Sequence, residues 1–213
     1  MELLFAVEAF TQVITYLMIV AGVSPVLSML RSGDTSGVPY PFFLAGLVNS
    51  VMSIGYGLLA DHSTILQINV IATAFNIFYV ASYIIVSKRK SSAFGQFISC
   101  CLVVACVYFY VTRVARAETR MDHIGVILLT WCTVLQITPL LDVKECMARQ
   151  SAGSLSLVMM FAGTLCCSCW FLYGFLLKDF YIYAPNVVGV FSYGCQMTAI
   201  AVYGRQPIKT RID

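Results

Sequence analysis

The chain holds four asparagines, Asn49, Asn69, Asn76 and Asn186, and each stands inside a run of apolar residues. A carboxamide taken out of water must recover its hydrogen bonds from a neighbouring helix or from a ligand. Asn49 and Asn76, each taken alone, read as interhelical hydrogen-bonding groups. Asn69 and Asn186 form a pair, because each follows a Tyr-Gly dipeptide (Tyr56-Gly57 and Tyr173-Gly174) with the same Tyr-to-Asn spacing of 13 residues. Two amides offer donors and acceptors without charge, which suits a neutral polyhydroxylated molecule better than an ion. Trp170 lies one helical turn before Tyr173 and could stack an apolar sugar face, or could simply fill space between helices. Ser53 holds the matching place in the first half.

Other chemistries find no support. No Asp, Glu, Lys, Arg or His falls in the middle of an apolar run; Asp61, His62, Lys178 and Asp179 stand near run ends, and Asp142 is read as closing the fifth. Carriers driven by protons or voltage keep ionisable groups at such depths, so downhill movement of an uncharged solute is expected. The enzyme patterns His-Glu-x-x-His, Gly-x-Ser-x-Gly and the Gly-rich phosphate loop are all missing, so no catalytic residue and no cofactor are expected. Cys166-Cys167-Ser168-Cys169 lacks a second cluster or a nearby His, and no metal is expected there.

The elements that carry these residues follow from composition. Of the 213 residues, 60% are hydrophobic and 11% charged, far from the pattern of a soluble domain, so lipid must surround most of the chain. Charge-free runs long enough to cross a bilayer as helices occur at about 9–30, 40–60, 63–87, 93–112, 123–141, 155–177 and 180–203. Eight of the nine cysteines lie within apolar stretches and read as small hydrophobes, so they do not report a redox compartment. Glu2 and Glu8 at the start argue against a cleaved signal peptide. A net charge of +3 with no basic stripe excludes a nucleic-acid partner. Nine of the thirteen Lys and Arg fall in one alternate set of connections, which predicts an outside N-terminus and a cytoplasmic C-terminus.

Shifting the chain on itself by 117 residues pairs Ala45-Gly46 with Ala162-Gly163, Tyr56-Gly57 with Tyr173-Gly174 and Asn69-Val70 with Asn186-Val187; Ser24-Pro25 pairs with Thr138-Pro139 at 114. The predicted fold is therefore an all-α membrane protein, seven transmembrane helices as two parallel three-helix bundles joined by a linker helix, a 3+1+3 order. The repeats are expected at 9–87 and 123–204, the linker at 93–112 and a short cytoplasmic tail at 205–213. Pro25 and Pro139 are expected to bend the first and fifth spans, Pro39 and Pro41 to open the second, and Pro185 to bend the seventh.

The motifs Ser36-Gly37-Val38-Pro39-Tyr40-Pro41, Tyr56-Gly57-Leu58-Leu59, Cys169-Trp170-Phe171-Leu172-Tyr173-Gly174, Lys178-Asp179 and Pro185-Asn186-Val187-Val188-Gly189 resemble the SWEET sugar uniporters, specifically the animal saliva-like branch. The resemblance implies bidirectional, uncoupled transport of mono- or disaccharides by alternating access. It implies sugar binding by Asn69 and Asn186 with Ser53 and Trp170 one layer away, and a cavity lined also by Asn49 and Cys166. It further implies selectivity positions at Ala21 and Leu135, an extracellular gate of Tyr56 with Asp179, hinges at Pro25, Pro39 and Pro139, and homo-oligomers. Ser156 holds the place of the family's fourth hinge proline. Two other readings share parts of this pattern. A seven-helix receptor would not repeat itself at 117 residues, and a PQ-loop carrier of another solute would place Gln after the hinge prolines, where Val26 and Leu140 stand. The expected location is the plasma membrane or an internal membrane such as the Golgi.

Overall fold

The computed structural model describes residues 2–153 and 155–204. The α-helices among them run in the order α1 (Glu2–Ala21), α2 (Val23–Ser32), α3 (Tyr40–Leu59), α4 (Ser63–Val86), α5 (Lys90–Phe109), α6 (Arg120–Ile137), α7 (Pro139–Arg149), α8 (Leu157–Leu177) and α9 (Phe180–Tyr203). A π turn, Tyr110–Val114, ends α5, and a 3-10 turn, Ala117–Thr119, leads into α6. The tail expected at 205–213 lies outside the described residues. Among the described residues six stretches have the length and apolarity of a membrane span, including α1 with α2 and the continuous stretch Ala117–Arg149. The seventh span, α9, is 24 residues long but carries Pro185, Asn186 and Gln196, which lower its apolarity.

The first and fifth spans are each broken in two. Pro25 has no N–H to offer the carbonyl of Ala21, and its ring crowds that oxygen; α1 ends at Ala21 and α2 starts after Gly22. In the fifth span α6 ends at Ile137 and Pro139 opens α7. The Leu135 carbonyl, which Pro139 cannot serve, accepts the Thr138 hydroxyl at 2.6 Å instead. Pro39 caps α3 and Pro41 lies in its first turn, so both initiate that helix. One expectation needs correction. Asp142 does not close the fifth span: α7 runs on to Arg149, its charged side held by a Glu145–Arg149 pair at 2.8 Å. α9 continues across Pro185, which lies in its second turn and leaves the Tyr181 carbonyl without its backbone donor.

Two compact units divide the chain, residues 12–128 in one, and residues up to Thr11 together with those from Leu129 in the other. In the first, Val26, Met29, Tyr40, Phe43, Leu44, Tyr79, Val80 and Ala93 form a buried core. Tyr40 stacks on Tyr83 with ring centroids 4.1 Å apart and donates its hydroxyl to Ala93 O at 2.8 Å. Tyr79 donates to Ile19 O at 2.6 Å beside the helix break, and Gly22 leaves room for its ring. Ahead of Tyr40, the Asp34 carboxylate accepts from Ser36 N and Ser36 Oγ, which holds its carboxyl below the usual carboxylate range.

In the second unit Cys146, Ala152, Leu155, Met160 and Ala199 form the core. Gln196, at the place corresponding to Tyr79, again reaches the broken span, donating to Pro139 O at 3.1 Å and to Asp142 Oδ2 at 2.9 Å. Thr11 is fully buried and donates to Cys169 O at 3.4 Å.

Local geometry repeats along with the sequence. Asp61 and Lys178, 117 apart, both adopt left-handed backbone angles, φ 54 and φ 58, at the turns after α3 and α8. His62 N and Asp179 N then bond Gly57 O and Gly174 O, each at 2.9 Å. The repeated glycines have one purpose, close helix approach: a Cβ at Gly57 would lie 3.2 Å from Leu66 N, and one at Gly174 2.8 Å from Tyr183 N. A Cβ at Gly46 would meet Asn76 Oδ1 at 3.0 Å, and one at Gly163 would overlap the ring of Tyr193, the residue corresponding to Asn76. Gly163→Ala is expected to cost about 1–3 kcal/mol of stability by overpacking, whereas Gly194→Ala, facing open space, is expected to be neutral or slightly stabilising. Thermal unfolding of the purified protein in detergent compares the two, and equal midpoints would refute the steric account.

Candidate functional site

An asparagine on an apolar helix has few donors and acceptors in reach, and the nearest acceptor is the carbonyl one turn back. Asn69 and Asn186 both use it. On α4, Asn69 is buried and donates from Nδ2 to Ile65 O at 2.8 Å. On α9, half-buried Asn186 donates from Nδ2 to Ile182 O at 2.7 Å. Each bond engages one N–H of the amide and leaves the other N–H for a further partner.

The unit of residues 12–128 carries Asn49, Ser53, Tyr56 and Asn69 on α3 and α4, which pack against each other along their length. Ser53 and Tyr56 are buried, Tyr56 fully, and Asn49 is half-buried. Beside Asn49, Ser50 accepts the Thr73 hydroxyl at 3.0 Å, which ties α3 to α4. Ala21 is the last residue of α1, exposed where the helix breaks. Pro25 lies just beyond it in α2.

The second unit carries Leu135 and Pro139 on either side of the α6–α7 break, Cys166 and Trp170 on α8, and Asp179 and Asn186 on α9. Trp170, half-buried, meets Tyr173 edge-to-face with ring centroids 5.9 Å apart. Asp179 is buried and caps α9: its Oδ1 accepts from Tyr181 N at 3.0 Å and Ile182 N at 3.3 Å. The same Ile182 offers its carbonyl to Asn186, so the cap fixes the turn that holds the amide. Ser156 likewise caps α8, its hydroxyl accepting from Met159 N at 3.4 Å.

Two glutamines of this unit escape the sequence reading, and Gly189 enters it only as part of a motif. Gln136, beside Leu135, donates from Nε2 to Asn186 Oδ1 at 3.4 Å and to Cys167 Sγ at 3.3 Å. Gly189, one turn beyond Asn186, makes room for both, since a Cβ there would lie 2.6 Å from Cys167 Sγ and 2.9 Å from Gln136. Gln196 joins α9 to α7. Glutamine in an apolar run carries the same signal as asparagine. Among the described residues no group of three His, Cys, Asp or Glu is arranged to hold a metal ion.

Comparison with known proteins bears on this arrangement. A family model described as "sugar efflux transporter for intercellular exchange" matches the chain twice, over residues 5–91 and 122–207. The chain belongs to the SWEET family. Among SWEET relatives, Sugar transporter SWEET1 of Danio rerio is 27% identical over 82% of this chain and 80% of its own length. Sugar transporter SWEET1 of Caenorhabditis elegans is 32% identical over 80% of this chain and 54% of its own length. A solved eukaryotic SWEET transporter shares the fold with a TM-score of 0.84, at 20% identity, over 95% of this chain and 97% of that one. The seven-helix 3+1+3 order predicted from the sequence is thus the SWEET fold, and the protein crosses the membrane several times.

The cap on α9 generates a direct expectation. Asp179→Ala is expected to lose about 0.5–2 kcal/mol of stability, with Asp179→Asn close to wild type, because a carboxamide oxygen caps nearly as well. Unfolding midpoints of the two variants in detergent measure the difference; an alanine variant as stable as wild type would exclude the capping role.

Proposed function

We propose that this chain is a facilitative, bidirectional sugar uniporter, moving mono- or disaccharides down their gradient by alternating access. The observation that carries this reading is the matched pair of amides: Asn69 and Asn186, each bound to its own preceding turn and each with a second N–H left for a ligand. The curated relatives are named as sugar transporters, which supports the substrate class. In this reading the two amides grip the solute from the two repeats. Ser53, Trp170, Asn49 and Cys166 line the cavity, and Ala21 and Leu135 set which sugar fits.

The prolines supply the movement. Pro25 and Pro139 stand at the two helix breaks, where a lost backbone bond lowers the resistance to bending. Pro39, at the start of α3, serves as a further hinge, and Tyr56 with Asp179 closes the outer mouth. The N-terminus lies outside and the C-terminus in the cytoplasm, with the protein acting as a homo-oligomer in the plasma membrane or an internal membrane.

Uptake of labelled glucose, fructose, sucrose and trehalose into proteoliposomes tests the reading. Asn69→Ala and Asn186→Ala are each expected to raise KM about tenfold or more for the transported sugar, as lost hydrogen bonds to a buried ligand do. A proton ionophore is expected to leave the wild-type rate unchanged. Unchanged uptake by both alanine variants would remove the amides from the site, and a rate collapsed by the ionophore would remove the uncoupled mechanism.

A further inference from the structure

The two halves differ where they hold their amides. At a shift of 114 residues Gln136 corresponds to Gly22, so the first repeat has no amide at the matching position, where the Tyr79 ring lies against the glycine instead. On Asn186 both ends of the carboxamide are engaged: Nδ2 gives a hydrogen to Ile182 O at 2.7 Å, and Oδ1 accepts one from Gln136 Nε2 at 3.4 Å. The two contacts are mutually consistent, since a carbonyl can only accept and an amide nitrogen can only donate. Turning the amide over would set Oδ1 against the Ile182 carbonyl and Nδ2 against the Gln136 nitrogen, and both contacts would become repulsive. Gln136 is itself steered by Cys167 Sγ at 3.3 Å and by the room that Gly189 leaves.

We infer that Gln136 is a positioning residue for sugar binding, which locks the Asn186 carboxamide so that its free N–H is presented as a donor to a substrate hydroxyl. The inference rests on Asn186 being a sugar ligand. It assigns the second repeat a fixed donor, while in the first repeat Gly22, at the position matching Gln136, has no side chain to act as such a lock. Recognition is then unequal: one end of the sugar meets an amide held at both ends, the other an amide held only through its bond to Ile65 O.

The test uses the full chain in proteoliposomes with whichever of glucose, fructose, sucrose and trehalose gives the fastest uptake. Gln136→Met keeps the length and apolar packing of the side chain but cannot donate. It is expected to raise KM about tenfold with maximal rate and unfolding midpoint near wild type, the effect of losing one orienting bond. Gln136→Glu supplies the sharper readout. As a carboxylate it cannot donate to Asn186 Oδ1, and as a carboxylic acid it can, so its KM is expected to fall towards the wild-type value as pH is lowered from 8 to about 5. The Gln136→Met variant is expected to stay impaired across that range, and the wild type sets the baseline. A Gln136→Met variant with wild-type KM, or a Gln136→Glu variant whose profile follows the baseline, overturns the inference. If instead Asn186→Ala itself leaves KM unchanged, the binding reading fails and the lock has nothing to hold; the alanine variant therefore separates the two failures.

Discussion

Lipid offers no hydrogen bonds, and every polar group this chain carries into the bilayer must find its partner within the protein. The consequence is visible at each break and each amide. Where proline denies Leu135 its usual donor, a threonine hydroxyl takes the place. Where the first span breaks, a tyrosine hydroxyl reaches Ile19 O from α4. The asparagines turn back on their own helices. Each of these side chains thus finds a backbone carbonyl within the protein to accept its hydrogen.

Close helix approach is the second constraint. With lipid tails as apolar as leucine, helices gain little by hiding apolar side chains from their surroundings and associate through tight packing instead. Large apolar side chains such as Phe5, Val158 and Phe191 remain on the outside. Small residues line the contacts: Gly46, Gly57, Gly163 and Gly174 each have a neighbour where a side chain would stand. These are the residues that repeat, so the duplication survives at the points where packing tolerates no change.

That explains what could be read in the sequence and what could not. The span number, the linker and the repeat were legible because apolar length and the Tyr-Gly spacing are direct imprints of bilayer thickness and helix contact. The breaks followed from Pro25 and Pro139, whose chemistry is local. The extension of α7 to Arg149 was hidden, since Asp142, Lys144 and Glu145 look like a loop until their i,i+4 pairing and the Gln196 contact are seen. Gln136 was hidden for another reason. Symmetry guided the search for ligands, and Gln136 matches a glycine, so a reading built on likeness between the halves passes over the place where they differ.

The division of the chain carries one last implication. The opening turns of α1 side with the segment after Leu129, through Thr11 and the Cys169 carbonyl, while the opening turns of α6 side with the segment before it. Each repeat has lent a helix end to the other. A cut in the 3-10 turn at Ala117–Thr119 would therefore part residues 2–11 and 120–128 from the units with which they are packed.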